Sequence, residues 1–396
     1  MQAVIVSFDS LATNSLGCYG NQWIETPNWD QLAATGAVFD RYFVDTLGPL
    51  AGMAWSTGNH SLLPAGSPPI CIGSLLRAGH VETQLIAAGE LQGWQRSFVF
   101  DDVKLVPGIE GVGAKPDEIP FAQAVKATVL TRKESPPSTS SRLLWVHAPG
   151  PGIPPEGFEA LYFEDFEERG QDLSDLSDED RSRHPAVYAG SVSLLDHWLG
   201  ELLAQIDSEV VDEPLLVIVM AATGYCWQQI KQSKLNSSLS QSLTLGDQLT
   251  RIPLVIKVSR DERFPNVASL RSDRLVQTCD LAPTLLDWFK LGPSSADEPQ
   301  YTGRSWLREL TEDFPARSMV WYGDGLQSKA MRTTDWLCIH TNSIDSQIDL
   351  SQQRPANQSA LFIKPEDIWD VNDIASQQPE VVVELLSQIP GNEQFK

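Results

Sequence analysis

Val4-Ile5-Val6-Ser7-Phe8-Asp9-Ser10, close to the start of the chain, is a short apolar run that ends on an acid. It lacks the alternation of a half-exposed strand, so it predicts an inner parallel strand buried on both faces. In open α/β sheets, ligands gather outside the carboxyl ends of such strands. Asp9 is therefore the residue around which a reaction centre is expected. Working outward, 143–147, 214–220 and 252–257 are further runs of the same kind.

The segments between these runs carry helix and turn punctuation. Thr26 is a candidate N-cap, with Pro27 at the first helical position. Trp29, Leu32 and Ala33 supply an apolar face, and Gly36 stops the helix. Val38, Phe39, Tyr42 and Phe43 predict the next strand. Further on, 318–322, 329–333 and 336–339 read as short strands, and 380–389 as a closing helix. Stretches rich in Pro, Ser or acid at 134–141, 156–180 and 292–300 are the expected linkers.

The chain has 396 residues and a formal net charge of −23, a field that repels nucleic acid and anionic lipid at long range. No nucleic-acid or membrane partner is expected. No apolar run approaches the roughly 18 residues of a spanning helix. No basic segment precedes an apolar core at the N-terminus, so a cytoplasmic location is the expectation. The five cysteines are scattered without a C-x-x-C pair, and the six histidines show no ligand spacing. Reduced thiols are expected, and neither a disulfide framework nor a zinc site.

One long pattern follows Asp9. Leu11 is followed by Leu16-Gly17-Cys18-Tyr19-Gly20-Asn21, then by Thr26-Pro27-Asn28-x-Asp30-x-Leu32-Ala33-x-x-Gly36-x-x-Phe39. This resembles the N-terminal signature of the sulfatase family in the alkaline-phosphatase superfamily. Fragments at 74–86, 188–196, 280–287, 303–307 and 360–375 are similar to later family segments in the same order. The resemblance implies an α/β fold with a large, mostly parallel mixed sheet sandwiched by helices, and a small C-terminal antiparallel sheet plus helix. The expected division is a main domain over 1–300 and a small α+β subdomain over 301–396.

The resemblance also implies a catalytic set, and this sequence departs from it position by position. Sulfatases hold a divalent cation on several carboxylates, because calcium takes roughly 6–8 oxygen ligands. The family's adjacent acids after the first strand are here Asp9 and Ser10. Its Cys-x-Pro-x-Arg nucleophile motif, counted back from Thr57-Gly58, falls on Gly48, Leu50 and Gly52. Thr46 is the nearest hydroxyl and reads as a strand-end threonine. Ala87-Ala88-Gly89-Glu90 stands where a Lys and a His are expected. Gly150, after Pro149, takes a histidine's place, and His147 reads as a packed, hydrogen-bonded strand residue. Ala222 and Thr223 replace the two further metal ligands before Gly224. Lys257 is expected to point to solvent from an edge.

The reading is a sulfatase-like pseudoenzyme with a vestigial cleft at Asp9, Ser10, Thr46, Gly48, Gly52, Ala222 and Thr223. No cofactor is expected, and Asp9 is the one retained ligand-type residue. Its expected neighbours are hydroxyl or backbone donors. The expected partner is a small neutral ligand or an active sulfatase homologue. Trp23, Trp55 and Trp227 flank the cleft and read as packing residues, with a sugar-stacking platform as the other use. The alternative is a sulfuric or phosphoric ester hydrolase whose calcium or magnesium site has been rebuilt around Asp9.

Overall fold

A computed structural model describes residues 1–63, 71–109, 111, 114–134, 141–155, 158–162, 184–210, 212–225, 245–265, 267–292, 301–310, 314–325, 328–342 and 357–390. Trp227 and most of the expected linkers lie outside them. The opening run forms β1 (Gln2–Ser10). Next come α1 (Pro27–Thr35), β2 (Ala37–Phe43), α2 (Met53–Thr57), α3 (Ile72–Ala78) and β3 (Val81–Ala88). They are followed by α4 (Gly93–Phe98), β4 (Asp102–Val106), α5 (Pro120–Glu134), β5 (Ser141–Ala148) and the long α6 (Pro185–Glu209). The main sheet is completed by β6 (Leu215–Thr223), β7 (Leu254–Ser259) and β8 (Leu270–Gln277), with α7 (Asp247–Thr250) between β6 and β7.

These strands form one eight-stranded sheet in the order β4-β3-β5-β1-β6-β7-β2-β8. β1 pairs in parallel with β5 on one side and β6 on the other. β7 runs antiparallel to β6, so the sheet is mixed. Successive β1 side chains enter two cores. Ala3 and Ile5 join Trp55, Trp94 and Trp145 on one face, while Val4, Val6 and Phe8 join α5 and α6 residues on the other. That two-sided burial is why the run is apolar at consecutive positions.

After α8 (Leu281–Trp288) and α9 (Trp306–Glu309), the chain builds a separate antiparallel sheet. Its strands are β9 (Met319–Gly323), β10 (Ser328–Thr333), β11 (Trp336–Asn342) and β12 (Asn357–Ile363), and α10 (Pro379–Ser387) packs against it. Buried charges tie this sheet to the main one. Asp247 on α7 faces Lys364 at 3.2 Å and Arg332 at 3.5 Å, and Lys364 also holds Asp370. No helix among the described residues is long and apolar enough to cross a membrane.

Candidate functional site

The parallel register puts Ile5 beside Trp145 and Ser7 beside His147. Side chains two apart on a strand share a face, so Ser7 and Asp9 on β1 line up with Trp145 and His147 on β5. The result is a continuous row of hydrogen bonds. Trp145 Nε1 donates to Ser7 Oγ at 2.7 Å, and Ser7 Oγ lies 2.8 Å from His147 Nδ1. His147 Nε2 lies 3.1 Å from Asp9 Oδ1. A carboxylate only accepts, so Nε2 carries a hydrogen toward Asp9, while the Ser7 hydroxyl, which can give or take one, meets Nδ1.

A serine, a histidine and an aspartate in hydrogen-bonded sequence invite comparison with a nucleophilic triad. Burial decides against it. Ser7 is 0% exposed and His147 2%, so no substrate reaches the hydroxyl. The row is a strut that aims Asp9, whose side chain is 35% exposed at the carboxyl edge.

Gln92, the N-cap of α4, donates from Nε2 to Asp9 Oδ1 at 2.6 Å. A capping box with Gln95 holds Gln92 in place. Behind it, Trp94 stands edge-on to His147 at 5.2 Å and to Trp55 at 5.0 Å between centroids. The partners of Asp9 are thus an amide and an imidazole, where hydroxyl or backbone donors were expected. Neither Gln92 nor Ser7 carried a motif. Their role follows from register and from a six-residue helix that sequence reasoning did not single out.

The other predicted residues separate into two groups. Ser10 and Thr223 meet Asp9, because Ser10 pairs with Thr223 across β1 and β6. The Thr223 hydroxyl donates to the Asp9 carbonyl at 2.9 Å. Ala222 is buried in β6. Gly150 is pressed against Ser10: a Cβ there would come within 2.0 Å of the Ser10 carbonyl oxygen. Gly52 reaches the site through Trp94, since its Cβ would lie 2.8 Å from Trp94 Cδ1, and its φ is +79°. Gly48 is also left-handed, at +77°, with open space around it.

Thr46 sits apart from Asp9 in its bonding. It is buried, bridges to Gly323 of the small sheet, and its hydroxyl donates to the Leu47 carbonyl at 3.2 Å. Its neighbour Asp45 is fully buried and accepts from the Thr278 hydroxyl at 2.6 Å and the Ser61 amide at 2.7 Å. Lys257 does not point freely to solvent from an edge. Its strand is internal, and its ammonium pairs with Asp207 of α6 at 3.0 Å. Trp55 is fully buried, and Trp23 packs edge-on against Tyr162.

A divalent cation of the sulfatase kind would need several anionic oxygens here. The described edge offers Asp9, with Oδ1 already accepting two hydrogen bonds, and the hydroxyls of Ser10 and Thr223. Among the described residues, no three His, Cys, Asp or Glu side chains gather closely enough to hold a metal. This donor set does not fit such an ion.

The mixed eight-stranded sheet and the second small antiparallel sheet make an alkaline-phosphatase-like fold. The Sulfatase family model matches residues 2–291, and the chain belongs to that family. Similar solved structures share the fold. The phosphonate monoester hydrolase of Agrobacterium radiobacter superposes with a TM-score of 0.72 at 16% identity, covering 100% of this chain and 96% of its own. A protein solved with its substrate D-glucosamine-2-N,6-O-disulfate gives 0.67 at 15% identity, covering 99% and 97%. The phosphonate monoester hydrolase of Silicibacter pomeroyi gives 0.65 at 14%, covering 97% and 92%. No curated protein sequence matches.

Proposed function

We propose that this chain is a non-catalytic member of the sulfatase family, acting by binding or regulation. The observation that carries the reading is the engagement of Asp9. Its Oδ1 accepts from Gln92 Nε2 and His147 Nε2, side-chain donors that stand where the family chemistry needs a metal cation. Glycine geometry supports it. Gly52 and Gly150 stand where the family pattern has an arginine and a histidine. Gly52 is left-handed against Trp94, and Gly150 is closed in by Ser10, so a side chain enters either position only if its surroundings move. Asp9 Oδ2 has no hydrogen-bond partner among the described residues, and it suits a donor group on a small neutral ligand. An active homologue is the other partner that this reading accommodates.

The same open Oδ2 favours one competing reading, an ester hydrolase with a cation rebuilt on Asp9. Elemental analysis after dialysis against calcium and magnesium separates the two, together with assays on 4-nitrophenyl sulfate and phenyl phosphonate esters. The expected result is no stoichiometric metal and no turnover above background. About one ion per chain, with turnover that Asp9→Ala abolishes, overturns the proposal.

A further inference from the structure

A hollow of about 30 Å³ opens between the turn just after β1, at Thr13 and Asn14, and the loop that carries Ile368 and Trp369. Arg251, at the end of α7, lines it. We propose that it is a ligand site separate from the Asp9 cleft, built for a small amphipathic carboxylate. Arg251 takes the carboxylate, and a ring or aliphatic body lies on Ile368 and Trp369.

The arginine is the first argument. Its backbone is fixed: the Arg251 carbonyl accepts from the Thr13 hydroxyl at 2.8 Å, and its amide donates to the Asp247 carbonyl at 2.9 Å. Its guanidinium makes no hydrogen bond or ion pair with a described residue. Arg77, Arg263, Arg271, Arg308 and Arg317 each hold a carboxylate within 2.9 Å. The acid that lines the hollow, Asp247, faces Lys364 at 3.2 Å and Arg332 at 3.5 Å, though its Oδ1 makes no hydrogen bond among the described residues. The side-chain amide of exposed Asn14 also has no described partner, so the hollow presents two donor groups, the Asn14 amide and the Arg251 guanidinium.

The apolar wall is the second argument. Ile368 is 57% and Trp369 51% exposed, and Val371 at 71% extends the patch. Three exposed large apolar side chains within four residues of one loop offer a surface on which an apolar body can lie. Size then sets the ligand's shape. The hollow is about the space of a water or two and admits a carboxylate, but not a ring. The body must remain outside, against Ile368 and Trp369. A planar guanidinium fork pairs with a carboxylate through two parallel hydrogen bonds, and the small hollow favours that group over a bulkier tetrahedral anion. None of this depends on whether the Asp9 cleft is catalytic.

The test uses 4-fluorobenzoate and the full-length chain, followed by fluorine NMR line broadening. Saturable broadening is expected. The neutral isostere 4-fluorobenzamide, or the variants Arg251→Gln and Trp369→Ala, should weaken binding about tenfold or more. Both side chains are free of the backbone bonds that hold the loop, and unchanged melting curves confirm that the variants fold. Asp9→Ala should leave the titration unaltered. The proposal is overturned if the benzamide binds as well as the benzoate, if Arg251→Gln binds normally, if Asp9→Ala abolishes binding, or if millimolar benzoate gives no saturable broadening.

Discussion

His147 Nε2 lies 3.1 Å from Asp9 Oδ1 because their strands are adjacent and parallel, with His147 registered against Ser7, two residues before the acid. The histidine spans from one β1 side chain to the next, and the cleft acid is held from beneath.

Ser7→Ala tests that support. The substitution leaves Trp145 Nε1–H and His147 Nδ1 in the core with no partner, each costing about 1–3 kcal/mol. Urea unfolding should show a loss of roughly 3 kcal/mol. A loss below about 0.5 kcal/mol would mean that the row does not carry the site.

Two glycines of equal hand should respond unequally. Gly48 (φ +77°) and Gly52 (φ +79°) both occupy left-handed backbone, which costs an L-residue about 1–2 kcal/mol. Only Gly52 has a neighbour in the way, Trp94 Cδ1 at 2.8 Å from a Cβ. Gly52→Ala should therefore lower the melting temperature clearly more than Gly48→Ala. Equal shifts would remove the packing argument.

Asp280 is the acid whose loss should be felt most in stability. It is fully buried and grips both terminal nitrogens of Arg317 at 2.8 Å, while the Gln277 and Arg304 amides donate to it at 2.7 Å. Asp280→Ala strands a buried guanidinium and should cost about 3–5 kcal/mol. The double variant Asp280→Ala with Arg317→Met should recover part of that loss in chemical denaturation.

Asp370 gives a pH signature. Burial first, and then the charge of Asp247, push its carboxyl up to about 6 against the pull of Lys364. Folding thus favours its protonated form. Below about pH 4 the folded and unfolded chains both hold the proton, and this group costs nothing. As pH rises from about 4 to 6, the unfolded chain gives up its proton first and stability falls. Asp370→Asn has no carboxyl proton to lose. The stability of the natural chain relative to the variant should be highest near pH 4 and decline to a plateau above pH 6; a flat difference would refute the assignment.

The parts of the fold that were legible were those where burial leaves a compositional trace. β1 and β6 read as unbroken apolar runs because both of their faces are covered. β8 left no such trace: Arg271, Asp273 and Arg274 lie in an edge strand that is half exposed. β4 and α4 are five and six residues long, too short for a period to emerge. At the site, Asp9 was legible from its place at a strand end. Gln92 was not, because its reach to Asp9 depends on how α4 is set against the sheet. The reading of His147 as a packed histidine holds for its burial, but left out its partner.

Gly150 has a consequence for how this chain can change. Position 150 has no room for a side chain, because the carbonyl of residue 10 occupies the volume a first carbon would need. A histidine arrives there only after the end of β1 has moved, and that end also carries Asp9. The loop acts as a latch at 150, closed to any single substitution that adds a side chain there.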